Sequence, residues 1–295
     1  MNKQMTKQAG MKITFIGGGN MATALIAGLA GQLTAGANIH VIDPNPAQLA
    51  RLAAEYGVST AEGIDVQALA SDVIVLAVKP QQMRDVAAAL LPLLAQVAQV
   101  AQVAGSQPLP PLLLSIAAGV RGADLARWLK GYGAIVRSMP NMPALIGQGI
   151  TGMVAMAGVS AAHKAAADSI MLAVGATVWL DDEALIDPVT AVSGSGPAYV
   201  FYFIEAMQQA ARELGLSAEQ GKQLALATFT GAAQLAARSP DEVAMLRERV
   251  TSKGGTTHAA LTSMEQAGVK QAIVAAIKAA SARGRELGEQ MGADE

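Results

Sequence analysis

Met11-Lys12-Ile13-Thr14-Phe15-Ile16-Gly17-Gly18-Gly19-Asn20-Met21-Ala22 is the stretch on which the fold turns. Its first half is short, apolar and rich in β-branched and aromatic side chains, and it stops at three glycines, so it reads as a buried strand over 11–16. A helix is expected over 20–31. The junction satisfies G-x-G-x-x-G/A between a strand and a helix. Gly17 permits the tight turn, Gly19 lets backbone approach a pyrophosphate without an intervening Cβ, and Ala22 lets the helix pack closely on the strand. Free amides and a partial positive charge at the helix start then face the phosphates.

Outward from this loop, a second strand is expected over 39–42, closed by Asp43-Pro44-Asn45-Pro46, and a helix over 47–56 stops before Gly57. These pieces make a βαβ unit. The apolar runs 73–78 and 112–117 add strands that lack alternation, as parallel strands covered on both faces do. Residues 81–103 read as an extended helix end leading into the loop Gly105-Ser106-Gln107-Pro108. Strands are expected at 134–137, 152–157 and 176–180, with a helix between the last two, capped by Ser160 and ended by Gly175. From Asp181 onward strand patterns vanish, so the domain boundary is placed there, giving an α/β domain over 11–181 and a helical domain over 182–295.

In the helical part, Ser217 with Gln220 and Ser239-Pro240 with Glu242 have capping-box spacing. Residues 223–237 are apolar or small on nearly every face, so burial from several sides, by a second subunit, is expected.

Composition limits what the chain can be. Among 295 residues, 21 Lys and Arg against 23 Asp and Glu leave a net charge of -2, without the cationic excess that a nucleic-acid binder needs. Apolar residues make up 52% and charged residues 15%, enough to build a core. Cysteine is absent, which excludes thiolate nucleophiles and cysteine metal sites. Residues 1–10 are polar and no apolar run approaches the roughly 18 residues of a membrane span, so a soluble, cytoplasmic protein is expected. His40, His163 and His258 are isolated, and no metal site is expected.

Asp43, at the end of the second strand, can accept hydrogen bonds from the adenosine ribose and would repel a 2′-phosphate, which on its own favours NAD over NADP; it can equally serve as a turn residue before proline. Ala77, Val78, Lys79 and Pro80 end one strand and Ala117, Ala118 and Gly119 the next, where open sheets bind ligands. Lys79 can also be a solvated strand-end lysine. A second constellation, Thr251-Ser252-Lys253-Gly254-Gly255-Thr256-Thr257, gathers four hydroxyls and two glycines before a helix starting near His258, a nest suited to a carboxylate.

With Val250 before it and His258-Ala259-Ala260-Leu261 after it, that run resembles the signature of the pyrroline-5-carboxylate reductases. Further matches stand in order: Gly17-Gly18-Gly19-Asn20-Met21, Ala77-Val78-Lys79-Pro80-Gln81, Ser115-Ile116-Ala117-Ala118-Gly119, Arg137-Ser138-Met139-Pro140-Asn141 and Val192-Ser193-Gly194-Ser195-Gly196-Pro197-Ala198-Tyr199. The resemblance implies reduction of 1-pyrroline-5-carboxylate to L-proline by NADP- or NAD-linked hydride transfer, the last step of proline synthesis. It implies a Rossmann-like doubly wound parallel sheet followed by an all-α dimerisation domain, in a homodimer often assembled further into a decamer. Ser252, Gly255, Thr256 and Thr257 are then expected to hold the substrate carboxylate, with Glu183 near the ring. Gly17, Gly18, Gly19, Asn20, Met21, Asp43, Ala77, Val78, Lys79, Pro80, Ala117, Ala118 and Gly119 are expected to line the cofactor. The sequence departs from the pattern at Lys253, where many members carry proline, at Met142, where threonine is frequent, and at 96–109, which looks inserted.

A protonated imine is already a strong electrophile, so the chemistry demands positioning more than a powerful acid; Thr257 or a water is the candidate proton donor. Two other readings compete. The β-hydroxyacid dehydrogenases need a lysine after Gly-x-Gly in the long helix, and the run ending at Tyr199 continues with Val200. A noncatalytic dinucleotide sensor would bind cofactor without turnover.

Overall fold

The protein is described by a computed structural model covering residues 10–103 and 109–293. The loop expected at Gly105-Ser106-Gln107-Pro108 lies outside the described residues. Two compact units emerge. The first runs to Gly194 and also takes in the chain from Ala280 onward; the second is Ser195–Ala279. The boundary expected at Asp181 therefore differs from the compact unit, which continues through the turns that follow it.

The first unit is built on one sheet of β1 (Ile13–Ile16), β2 (Ile39–Ile42), β3 (Ser59–Ala61), β4 (Val73–Leu76), β5 (Leu112–Ser115), β6 (Ile135–Met139), β7 (Gly149–Ala155) and β8 (Gly175–Leu180). The spatial order is β3-β2-β1-β4-β5-β6-β7-β8. Crossing helices are α1 (Asn20–Leu29), α2 (Pro46–Tyr56), α3 (Met83–Val103), α4 (Gly122–Trp128) and α5 (Ala161–Leu172). β1 to β6 are mutually parallel, as the doubly wound expectation requires, but β7 pairs antiparallel with β6 and parallel with β8. Chain length explains the reversal. Between β6 and β7 there is room only for a 3₁₀ turn (Met142–Ile146), too little for a crossover helix, so the strand must return antiparallel.

Alternation inside the strands fills both faces. Ile13, Phe15, Ile39, Val41, Val73, Val75, Leu112 and Leu114 pack with Leu25, Ile26, Leu29 and Leu52 of α1 and α2. Ile74, Leu76, Leu113 and Ile135, one residue out of step, pack with Met83, Ala87 and Leu90 of α3 and Leu125 of α4. Such two-sided burial is why the strands read as unbroken apolar runs. The helix end expected over 81–103 belongs to one long α3, with Pro92 inside it.

Capping follows the sequence in two of three places. Ser160 accepts from the His163 amide while the Ser160 amide donates to His163 Nδ1, and Ser217 makes the reciprocal pair with Gln220. At Ser239 the box does not form. Its hydroxyl accepts from the Asp241 amide, and the next helix begins at Val243 with Glu242 at its N-cap. With proline and aspartate between them, Ser239 belongs to the end of the preceding helix rather than the start of the next.

After a short α6 (Ile186–Val189) and a wide π turn (Thr190–Gly194), the second unit is helical: α7 (Gly196–Glu213), α8 (Ala218–Arg238), α9 (Val243–Arg249), α10 (Thr256–Gln266) and the first part of α11 (Val269–Gly292). Within it the rings of Phe203 and Phe229 stand 6.5 Å apart between α7 and α8. In the single chain α8 leaves Leu224, Leu226 and Leu235 exposed. No described helix is long and apolar enough to cross a membrane.

Candidate active site

Strand register brings the expected cofactor residues to one edge. Ile16 lies opposite Ile42 and Leu76, and Leu76 opposite Ser115, so β2, β1, β4 and β5 end level with one another. Asp43, the glycine loop, 77–80 and 117–119 therefore line up in that order along the carboxyl edge, and the strand order reverses between β1 and β4, the topological switch point where such sheets hold ligands. Three inter-strand steps place the axes of β2 and β5 about 14 Å apart, an extended trough.

The glycines divide the work. Gly17 has φ +101°, and a Cβ there would lie 2.6 Å from the Ala77 carbonyl oxygen, so no side chain fits. Among the described residues, a Cβ on Gly19 would meet nothing within 4 Å; the space above it is open. Gly19 is also the N-cap of α1, and no side chain caps that terminus, which leaves the first amides directed into the open space. The geometry suits a diphosphate.

Asp43 is tied down at both oxygens. Oδ2 accepts from the Gly18 amide at 2.7 Å and Oδ1 from the Asn45 amide at 2.9 Å. It serves as a turn residue and, half-buried, still presents a carboxylate at the end of β2. Residues overlooked in the sequence support the loop from α2: Gln48 Nε2 donates to the Gly18 carbonyl, and Arg51 Nη2 donates to Thr23 Oγ1 at 3.3 Å. Arg51 is exposed, so a cation stands close to the glycine loop although none adjoins Asp43 in sequence. Its distance along the chain hid it.

Ala77 continues the ladder by donating to the Ile16 carbonyl, and exposed Lys79 precedes a 3₁₀ turn (Pro80–Gln82). Ala117 is buried, Ala118 exposed, and Gly119 takes φ +76°. Ser138 Oγ donates to the Ser115 carbonyl at 2.8 Å, fixing the strand end from which 117–119 depart.

Glu183, expected beside a substrate ring, is held inside the first unit. Its Oε1 accepts from Arg137 Nη1 at 3.0 Å and from the Gly122 amide, while Arg137 Nη2 lies 3.9 Å from Asp187 Oδ1. Arg137 is 3% exposed. A lone guanidinium in the apolar strand Ile135-Val136-Arg137 was the signal that could have marked this cluster, because a buried charge requires a partner.

In the second unit, Gly254 takes φ +75°, the Gly255 amide donates to the Ser252 carbonyl at 3.0 Å, and Gly255 is the N-cap of α10 without a side-chain cap. Helix α10 thus begins at Thr256, two residues before the expected start. A Cβ on Gly255 would lie 3.4 Å from Ser252 Oγ, so the Ser252 hydroxyl stands beside this uncapped terminus, where Thr256 and Thr257 open the helix. Thr251 is turned elsewhere, donating to the Arg247 carbonyl. Gly194 approaches the Met139 side chain so closely that a Cβ would lie 2.7 Å from its Cε, so the Gly194-Ser195-Gly196 run begins with a packing glycine.

His163 is structural: Nδ1 accepts from Ser160, which leaves the proton on Nε2 to donate to the Pro110 carbonyl. His40 Nδ1 pairs with Ser59 Oγ at 2.9 Å.

Comparison with known proteins bears on the fold and the family. The family model for pyrroline-5-carboxylate reductase dimerisation matches residues 183–287, and that for NADP oxidoreductase coenzyme F420-dependent matches 12–103. The pyrroline-5-carboxylate reductase of Pseudomonas aeruginosa is 46% identical over 95% of this chain and 98% of its own; that of Haemophilus influenzae is 39% identical over 93% and 97%. Among solved structures, a pyrroline-5-carboxylate reductase from Coxiella burnetii aligns with TM-score 0.84 at 38% identity, covering 94% of this chain and 98% of its own. The enzyme from Plasmodium falciparum, solved with NADP bound, aligns with TM-score 0.79 at 28% identity, covering 94% and 98%. On 46% identity over 95% of its length and a dimerisation-family match over 183–287, the chain belongs to the pyrroline-5-carboxylate reductase family.

Proposed function

We infer that the chain reduces 1-pyrroline-5-carboxylate to L-proline with NADPH or NADH, closing proline synthesis. One observation carries the reading: four segments converge along a single carboxyl edge beside the uncapped, side-chain-free start of α1. A dinucleotide held on this edge would supply the hydride for the imine carbon, and a proton delivered to the ring nitrogen would complete the amine.

The chain's own residues bind and orient. Gly17, Gly18, Gly19, Asn20 and Met21 hold the diphosphate on backbone amides, with Asp43 at the adenosine ribose. Ala77, Val78, Lys79 and Pro80, then Ala117, Ala118 and Gly119, flank the nicotinamide half. Ser252, Gly255, Thr256 and Thr257 grip the substrate carboxylate through hydroxyls and the α10 amides, and Thr257 or a water moves the proton at the ring nitrogen. Transfer requires the imine carbon within about 3–3.5 Å of the nicotinamide C4, so orientation supplies most of the rate.

The working form is a homodimer, assembled further into a decamer, in the cytoplasm and without a nucleic-acid partner. Exposed Leu224 and Leu235 support the association, and the net charge of -2 supports the last point. The test is spectrophotometric oxidation of NADPH and of NADH with synthetic 1-pyrroline-5-carboxylate. Turnover with formation of proline is expected; cofactor binding without turnover would favour the sensor reading.

A further inference from the structure

The segment 117–122 is held by an apparatus that the reaction itself does not account for. It leaves β5 at Ser115, whose carbonyl is bound by Ser138, and enters α4 at Gly122, whose amide donates to Glu183 Oε1. That same oxygen accepts from Arg137 Nη1 at 3.0 Å. Arg137 stands on β6, rooted in the sheet, and is 3% exposed. Among the described residues its buried Nε has no hydrogen-bond partner, and the guanidinium is engaged through its Nη groups.

Room at the junction is minimal. A Cβ on Gly122 would lie 2.6 Å from Met156 Sδ and 3.4 Å from Glu183 Oε1, so the Met156 side chain would have to shift for any other residue here. Within the same unit, the end of α11 closes on the segment: a Cβ on Gly119 would lie 3.7 Å from Leu287 Cβ, and Arg121 Nη2 donates to the Arg285 carbonyl at 3.4 Å.

We propose that Glu183, fixed by Arg137, is a positioning residue: through the Gly122 amide it sets where 117–119 stand against the nicotinamide half of the cofactor. The chain of constraint runs from sheet to guanidinium, carboxylate, backbone amide and loop. It rests on the assignment of 117–119 to the nicotinamide side, and it replaces a direct contact between Glu183 and substrate.

The test separates the halves of the cofactor. Affinities of the purified full-length protein and of Glu183→Ala are measured for NADH and NADPH, and for ADP-ribose and 2′-phospho-ADP-ribose, which lack nicotinamide. The variant is expected to bind the whole cofactors roughly tenfold more weakly and the fragments within about twofold of wild type, with kcat falling roughly 10- to 100-fold. Glu183→Gln, which keeps an oxygen for the Gly122 amide, is expected to fall between the two, and it carries the same readout if the alanine variant does not fold. Whole cofactor and fragment weakening in step, or neither changing, would overturn the proposal. So would a rise confined to the substrate KM, which would return Glu183 to the substrate. If wild type fails to reduce the imine, the functional reading falls while the binding ratio still tests the loop; a flat ratio in an active enzyme removes only the positioning role.

Discussion

Gly17 and Ala77 touch across the paired ends of β1 and β4, with the position of a Gly17 Cβ only 2.6 Å from the Ala77 carbonyl oxygen. Both strands need this approach, because each leads into a segment assigned to the cofactor. Gly17→Ala must therefore separate the two ends or distort a backbone that already has φ +101°. The conformation alone costs about 1–3 kcal/mol for a residue with a Cβ. The expected outcome is a Tm several degrees lower and a larger loss in NADPH affinity than stability alone explains, measured by thermal unfolding and fluorescence titration.

In the proposed function, cofactor choice is expected to rest on Asp43 and Arg51 acting in opposite senses. A carboxylate at the adenosine ribose would disfavour a 2′-phosphate, and the Arg51 guanidinium, which donates to Thr23 Oγ1 beside the glycine loop, would offer it a charge. Asp43→Ser keeps an oxygen for the Gly18 amide but removes the charge. It is expected to shift kcat/KM toward NADPH by on the order of tenfold, about 1.4 kcal/mol. Arg51→Ala is expected to shift the ratio toward NADH. Steady-state kinetics with both cofactors checks each, and unchanged ratios would remove both residues from cofactor choice.

The glycine loop and its strands were legible because a strand, a tight turn and a helix start each impose a local residue requirement within 12 neighbouring positions, from Met11 to Ala22. Strand direction at β7 was not, since it depends on what the chain between β6 and β7 can span. Arg137, Glu183 and Gly122 were equally hidden: their meeting is produced by the sheet and the turns after β8, at separations of 46 and 61 residues. Ser239 misled for a different reason. Its spacing fits a capping box, but a hydroxyl after a long helix and before Pro240-Asp241 has a nearer amide to accept from.

At the carboxylate nest, Ser252 and Thr257 are expected to separate anchoring from proton transfer. Ser252→Ala should raise the substrate KM with little change in kcat, because the lost hydrogen bond is present equally before and during hydride transfer. Thr257→Ala should raise KM and also lower kcat by roughly 100-fold if its hydroxyl passes the proton. An intact kcat in that variant would make Thr257 an anchor and leave the proton to water.

Self-association should depend on the stripe that α8 presents. Leu224 and Leu235 are separated by three helical turns, so they share a face, and they are 55% and 59% exposed in the single chain. Burying a charge against a partner there without compensation costs several kcal/mol. The double variant Leu224→Glu, Leu235→Glu is expected to elute as a monomer in light-scattering chromatography and to lose activity with the dimer.

His40 predicts how stability responds to acid. Burial holds its imidazole pKa below the ordinary 6.5, the desolvation outweighing the opposing pull of Asp65, whose Oδ1 is 3.6 Å from Nε2, and of Ser59. The folded chain therefore resists a proton that the unfolded chain accepts. The sign follows: the contribution is complete above pH 6.5 and is lost as pH falls through the window below it, because the unfolded state there binds more protons. Tm measured between pH 8 and 5 should fall on the acid side, and His40→Gln, which cannot titrate, should show a shallower fall even if its Tm at pH 8 is lower. Parallel curves would mean that His40 takes up its proton equally in both states, against the desolvation that its buried place between Ser59 and Asp65 imposes.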